Sequence, residues 1–221
     1  MATRRDKGIL VPLLSGGLDS AIATAKAREV FATGRIEPIF VSWGQSSIEA
    51  EHAAFDGVCE ALHIEPSMRH YFTIGKEWRI PRGWKEPKLP FPFARNLLLL
   101  SLASASAATI FAGSEPVVIT GFTKDDAATD AQGGFVDSFN STLESAVQGN
   151  IDLKRVSAAA PLREMTKSEA IRWASENRLG ELMAATWSCW ESGKSPCDEC
   201  EPCRKRSAAF REAGIPDPAK A

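Results

Sequence analysis

Apolar and polar positions along the 221-residue chain follow two alternating periods. Short apolar runs stand where buried strands are expected, and longer segments with helical spacing follow them. Ile9-Leu10-Val11-Pro12-Leu13-Leu14 predicts a buried strand whose proline marks its start or an edge position. Leu18 to Thr33 predicts a helix, with Leu18, Ile22, Ala25, Lys26 and Glu29 in register and Gly34 closing it. Pro38 to Ser42 predicts a strand, Ser46 to Leu62 a helix and His70 to Ile74 another strand. Gly75 to Phe93, rich in Pro, Trp and Lys, predicts a long functional loop, with Trp78 to Phe93 its tryptophan-rich part. Asn96 to Phe111 is an alanine-rich apolar helix, Val117 to Thr120 a strand, and Phe135 to Val147 a helix. Arg155 to Ala159 predicts the last strand, and Thr166 with Glu169 forms a capping box that opens a further helix. The residues after Gly214 are expected to be loose.

Strands alternating with helices predict an α/β fold, a doubly wound, mainly parallel sheet covered on both faces. Ligands of such sheets bind at the carboxyl ends of the strands, so the loops that follow strands are the places to look for chemistry. Composition agrees with an ordinary globular chain, 44% hydrophobic and 24% charged. Its length suits one nucleotide-binding domain over 1–185 and a small helical cysteine-bearing segment over 186–221. With 26 basic and 28 acidic residues the formal charge is −2, which argues against a direct nucleic-acid partner. The apolar run near the start is too short for a signal-peptide core or a membrane span, so a cytoplasmic protein with no membrane partner is expected.

Between the first strand and helix stands Ser15-Gly16-Gly17-Leu18-Asp19-Ser20. Two glycines allow a tight turn and close approach of the backbone to a ligand. The unpaired amides and the dipole of the following helix favour phosphate oxygens. Ser15 and Ser20 add hydroxyls, and Asp19 is placed to hold Mg2+ or to position the loop. A strand-to-helix turn that needs glycine for geometry alone is the plainer reading. The string lacks the Gly-x-x-x-x-Gly-Lys-Ser/Thr pattern, so γ-phosphoryl transfer is not implied. It resembles the signature of the ATP pyrophosphatase (PP-loop) superfamily, which implies ATP cleaved between its α- and β-phosphates.

Cys189, Cys197, Cys200 and Cys203 place four thiolates within fifteen residues, with spacers of seven, two and two. That suits a closed tetrahedral Zn2+ site, structural because no position stays open. An iron–sulfur cluster is the alternative, but the Cys-x3-Cys-Pro ending of bacterial ferredoxins is absent. Cys59 lies alone in a helical pattern and is expected to be a buried small side chain.

Taken together, these motifs resemble the 7-cyano-7-deazaguanine synthase family across nearly the whole chain. Trp43-Gly44-Gln45 resembles its Tyr-Gly-Gln element, and Ala94-Arg95-Asn96 its Gly-Arg-Asn element. Pro161-Leu162, Met165-Thr166-Lys167-Ser168-Glu169 and Thr186-Trp187-Ser188-Cys189 match its late motifs. The resemblance implies an ATP-dependent ligase that uses Mg2+, adenylates the carboxylate of 7-carboxy-7-deazaguanine, and combines it with ammonia to reach the nitrile through the amide. Arg95 and Lys167 would neutralise departing pyrophosphate beside Asp19. Gln45, Asn96, Asp125, Asp126 and Trp187 would face the substrate. The apolar 97–111 helix would serve a homodimer.

The loop after the Val117 strand departs from the family, which carries an asparagine, an aspartate and a Ser-Gly-Tyr-Pro-Asp-Cys-Arg-like run there. Here Thr123 replaces the asparagine, and the tyrosine and arginine are missing. Asp125, Asp126 and Asp130 either keep carboxylate roles towards a guanine-like edge or Mg2+, or are turn residues. Ala94 replaces glycine and Ser42 replaces aspartate. A second reading is therefore an antiphage relative that joins the activated carboxyl to a protein amine, with the Trp78–Phe93 loop as its docking surface. A nucleotide-sensing module and a tRNA-modifying enzyme are more distant readings.

Overall fold

A computed structural model describes residues 8–31, 35–75, 94–126, 128–132, 134–147 and 155–220. The expected Gly75–Phe93 loop, apart from Gly75 itself, and the Gly34 helix stop lie outside these residues. The strands are β1 (Leu10–Pro12), β2 (Ile39–Ser42), β3 (His70–Thr73), β4 (Val117–Ile119) and β5 (Ser157–Ala159). The helices are α1 (Leu18–Phe31), α2 (Ile48–Ala61), α3 (Arg95–Ile110), α4 (Phe135–Val147), α5 (Lys167–Glu176), α6 (Gly180–Ala184) and α7 (Glu201–Ala213).

Every strand pairing among the described residues is parallel. One ladder runs β1-β4-β5 and the other β2-β3. Parallel bridges Leu10↔Ile36 and Leu13↔Ile39 join the two, so the strands lie in the order β3-β2-β1-β4-β5. Pro12 accounts for the break between the ladders. The Leu10 and Leu14 amides donate to Arg35 and Ile39 carbonyls on the β2 side, and Pro12 between them has no N–H to give. The expectation that this proline marks a start or edge is thus corrected. It stands in the central strand, where the missing bond is tolerated because flanking residues hold the ladder.

Side chains alternate across the sheet as the strand period requires. Leu10, Leu14 and Ile119 enter one core with α1, α2, α5, α6 and α7, through residues such as Ile22, Phe55, Ile171, Leu182 and Phe210. Ile9, Val11 and Val118 enter the other, against Leu100, Ala103 and Ala107 of α3 and Phe139 of α4. The sheet is therefore doubly wound, and the strand order reverses between β1 and β4. On α1 the buried residues are Leu18, Ala21, Ile22, Ala23, Thr24 and Ala27. Of the other residues expected in that register, Ala25 is half-buried and packs against this core, Lys26 lies over the Trp173 ring, and Glu29 is exposed. Cys59 is fully buried, as expected, and burial pushes its thiol up to about 12.

Residues 215–220, expected to be loose, are not. Asp217 makes a two-pronged pair with buried Arg206 at 2.7 and 2.9 Å, and a short 3-10 turn, Pro218–Lys220, follows. The same guanidinium donates to Thr186 Oγ1 at 2.7 Å, Ser188 Oγ at 3.2 Å and the Met183 carbonyl at 3.2 Å. Among the described residues no helix is long and apolar enough to cross a membrane.

Candidate functional site

The carboxyl ends of β1, β2 and β4 open onto one cavity of about 790 Å³, at the point where the strand order reverses. The glycine turn forms its floor. Gly16 has φ +75°, and a Cβ there would lie 2.7 Å from the Glu51 carbonyl and the Phe55 amide, so the turn is seated on α2 by backbone contact. Gly121, just after β4, is as tightly placed: a Cβ would meet Ser20 N at 2.6 Å and Asp19 C at 2.8 Å. Two strand-end loops are thereby pressed together at the start of α1. Ser20 Oγ donates to the Gly17 carbonyl at 3.0 Å, and the Gly17 amide donates to Ser15 Oγ at 3.3 Å.

Lys167 Nζ lies 2.8 Å from Asp19 Oδ2. Burial works against the lysine's charge, but the carboxylates of Asp19, Asp126 and Asp125 more than offset it and hold its pKa above the ordinary value. Asp19 Oδ1 is buried without a hydrogen-bond partner among the described residues, an orphaned carboxylate oxygen that suits a cation such as Mg2+. Asp126 lies beside this pair. Burial raises its pKa, helped by the Asp19 and Asp125 charges and opposed by the Thr123 amide and Lys167. Burial lowers the pKa of the Arg95 guanidinium, against the pull of Asp130, Glu51 and Asp126.

Of the residues singled out in the sequence, Ser15, Gly17, Leu18, Asp19, Ser20, Gln45, Arg95, Asn96, Asp126, Lys167, Trp187 and Cys189 line this cavity. Gly16, seated against α2, and Asp125 do not line it. The Asp125 carboxylate accepts from the Lys167 amide at 3.1 Å, capping α5 alongside Thr166 and Glu169, whose capping box is complete. Asp130 does the same for α3, accepting from the Asn96 amide at 3.0 Å and its side-chain nitrogen at 3.1 Å. Asp126 Oδ2 closes a turn on the Thr123 amide at 2.9 Å. The three aspartates are thus held by backbone groups, and Asp126 alone among them lines the cavity. Gln45 is buried, with its oxygen on the Trp43 amide at 3.0 Å and its nitrogen on Glu51 at 2.8 Å. Glu51, Thr120 and Lys205 also line the cavity and carry no motif that would have marked them.

The four cysteines converge. Their sulfurs all lie within 4.8 Å of one another, and Cys189 and Cys200 are 3.9 Å apart. Four thiolates about 2.3 Å from one zinc ion would be about 3.8 Å apart, so the set fits that ion. Backbone amides of Glu191 and Cys197 point at Cys189 Sγ, both at 3.4 Å. Amides of Cys200 and Glu199 lower the Cys197 thiol to about 7, towards the thiolate that a metal requires. The cluster is joined to the glycine turn through Trp187. Its amide donates to the Gly16 carbonyl at 2.9 Å, and its indole N–H donates to the Cys189 carbonyl at 3.0 Å.

Residues 9–214 match the model of a family described as "Queuosine biosynthesis protein QueC". The chain belongs to the QueC family. Curated relatives named 7-cyano-7-deazaguanine synthase extend along almost all of it. The one from Methanothrix thermoacetophila is 34% identical, covering 96% of this chain and 97% of its own. Those from Methanococcus maripaludis strain C7 and Campylobacter fetus are 30% and 27% identical, each covering 94% of this chain and 96% and 94% of their own. Among solved structures, the U34-tRNA thiolase NcsA from Methanococcus maripaludis superposes with a TM-score of 0.43 at 15% identity, over 94% of this chain and 68% of that one. This QueC chain departs from the family's Gly-Arg-Asn element at a position where backbone geometry matters. Ala94 has φ 54° and ψ 34°, the left-handed region in which glycine is unstrained.

Proposed function

We propose that this chain is a 7-cyano-7-deazaguanine synthase that activates a carboxylate with ATP and converts it, with ammonia, to a nitrile. A carboxylate resists attack because oxide would have to leave. In the proposed sequence its oxygen attacks the α-phosphorus of ATP and pyrophosphate departs. Ammonia then adds at the acyl carbon, and AMP leaves with that oxygen, giving the amide. The amide oxygen attacks a second ATP, and loss of AMP and protons leaves the C≡N bond. Each ATP ends as AMP and pyrophosphate, and no side chain need act as a nucleophile. The work left to the residues is placement and charge.

The observation that carries this reading is the single cavity onto which the glycine turn, Lys167, Arg95 and Asp126 all open. Its volume lies within the ordinary range for small-molecule sites and towards the roomy end, as a nucleotide beside a bicyclic acid requires. In this reading the turn's amides and Lys167 receive the phosphates, and Asp19 Oδ1 holds Mg2+. Arg95 offsets charge on the departing group, and Asp126, with Asn96 and Trp187 nearby, faces the acid. The cysteine cluster would hold Zn2+ as a brace for Trp187 and the turn. A homodimer through α3, where Leu97 and Ile110 are exposed, belongs to the same proposal. The protein-amine reading gains no support among the described residues, since the loop it invokes lies outside them.

An isotope experiment tests the sequence of steps. Substrate labelled with 18O in both carboxylate oxygens should yield unlabelled nitrile and one 18O in each AMP. Label appearing in phosphate or retained in the final product would overturn the double adenylation.

A further inference from the structure

We infer that Glu51 is a positioning residue for the nucleotide, clamping the loop between β2 and α2 so that it faces the glycine turn. The inference rests on the nucleotide reading of the cavity. By sequence Glu51 is an acid in the first turn of α2, where it would be expected to face water and complement the helix dipole. Instead it lines the cavity, and both carboxylate oxygens are engaged. Oε2 accepts from Gln45 Nε2 at 2.8 Å, and Oε1 accepts from Ser47 Oγ at 2.6 Å. Gln45 passes the constraint on, its own oxygen accepting the Trp43 amide at 3.0 Å. Ser47 occupies the N-cap position of α2 yet makes no side-chain cap, its hydroxyl being given to Glu51. A serine there ordinarily caps the helix, so the local arrangement favours the loop over the helix end.

The same residue meets the opposite wall through its backbone. Its carbonyl oxygen lies 2.7 Å from where a Gly16 Cβ would stand. One residue therefore sets the separation between the glycine turn and the Trp43–Ser47 loop. The cavity surface beside that loop is apolar, with Leu13, Ile39 and Val41 leading to Trp43. A nucleotide with its phosphates on the turn would present its base to this side. The clamp should therefore govern how well the nucleoside is held, and the phosphate contacts should survive its loss.

Equilibrium titrations with ATP and, separately, with inorganic pyrophosphate distinguish these effects. Hydrogen bonds to a charged group are strong enough that Glu51→Ala should weaken ATP binding about tenfold. Pyrophosphate binding should stay within about twofold, because the glycine turn is untouched. Glu51→Gln keeps an acceptor for Gln45 and offers an N–H to Ser47 Oγ, so it should recover ATP affinity to within about threefold. Ser47→Ala, which removes one arm and leaves the fold intact, should give an intermediate loss. Equal weakening of ATP and pyrophosphate by Glu51→Ala would overturn the inference, and so would a Glu51→Gln variant as weak as Glu51→Ala. Unchanged ATP affinity in both Glu51→Ala and Ser47→Ala would do the same. A wild-type protein that binds neither ligand would instead overturn the nucleotide reading itself.

Discussion

Gly121→Ala should damage the site without touching any polar group in it. The added Cβ would lie 2.6 Å from Ser20 N, 2.8 Å from Asp19 C and 2.9 Å from Ser20 Cα. All three are backbone atoms, so no rotamer change relieves them. Ordinary contact begins near 3.4 Å, so the two loops must separate by about 0.8 Å, and overpacking of this kind costs about 1–3 kcal/mol. The atoms that move belong to Asp19 and Ser20, so the glycine turn and the Asp19–Lys167 pair shift together. Misplacement of about 1 Å in a reacting geometry costs about a hundredfold in rate. Urea unfolding reads the first effect, and single-turnover formation of AMP reads the second. Gly180→Ala is the control. Its Cβ meets nothing within 4 Å, and at the start of α6 the change should stabilise by about 0.4–1 kcal/mol. If Gly121→Ala matched Gly180→Ala in stability and kept AMP formation within about twofold, the close approach of the two loops would be wrong.

Other residues carry predictions of different sign. Asp126 has a folded pKa above its unfolded value, so the folded state holds that proton more tightly and loses stability as pH rises through the range above 3.8. Asp126→Asn, which keeps an acceptor for the Thr123 amide, should therefore raise Tm at pH 7 by about 2–4 °C while lowering turnover. The gain should shrink at pH 4, and a fall in Tm at pH 7 would contradict it. Asp217 is the opposite case. Burial alone would raise its pKa, but the Arg206 bonds win and hold it below 3.8. Its stabilising share is complete above that value and is lost as pH falls through the lower folded one. Arg206→Met leaves the carboxylate buried without its partner and should cost about 3–5 kcal/mol at pH 7 in urea titration, with a shallower acid limb. A loss under about 1 kcal/mol would rule out that role. Stripping the proposed Zn2+ with a chelator should expose amides of 186–206 to hydrogen exchange and weaken pyrophosphate binding, because Trp187 links the cysteines to Gly16. Unchanged pyrophosphate affinity in metal-free protein would break that link.

The elements with a strong local signal were legible in the chain. The glycine turn, the capping box at Thr166 and the cysteine spacing each encode their geometry within a few residues, and each is found in place. Pro12 was misread because a strand's own sequence does not reveal which neighbours it will have. The short α6 carries no comparable signal. The α7 helix is not among the elements expected from the sequence, although Pro202 stands in its first turn and Gly214 takes the left-handed region at its end. The aspartates of the loop after β4 were ambiguous for a physical reason. Asp125 and Asp130 cap helices whose amides stand 42 and 34 residues away, a pairing that only the tertiary fold creates. Glu51 was hidden likewise, since a first-turn glutamate is unremarkable until Gln45 and Ser47 are brought to it. Arg206 and Asp217 are eleven residues apart and polar, and nothing local marks them as a buried pair.

The most direct test of the proposed chemistry is mass spectrometry of the wild-type protein incubated with ATP, Mg2+, ammonium and 7-carboxy-7-deazaguanine. The expected products are 7-cyano-7-deazaguanine, AMP and pyrophosphate, with the nitrile lost when ammonium is withheld. Recovery of the acid unchanged, or release of ADP and phosphate in place of AMP and pyrophosphate, would contradict it.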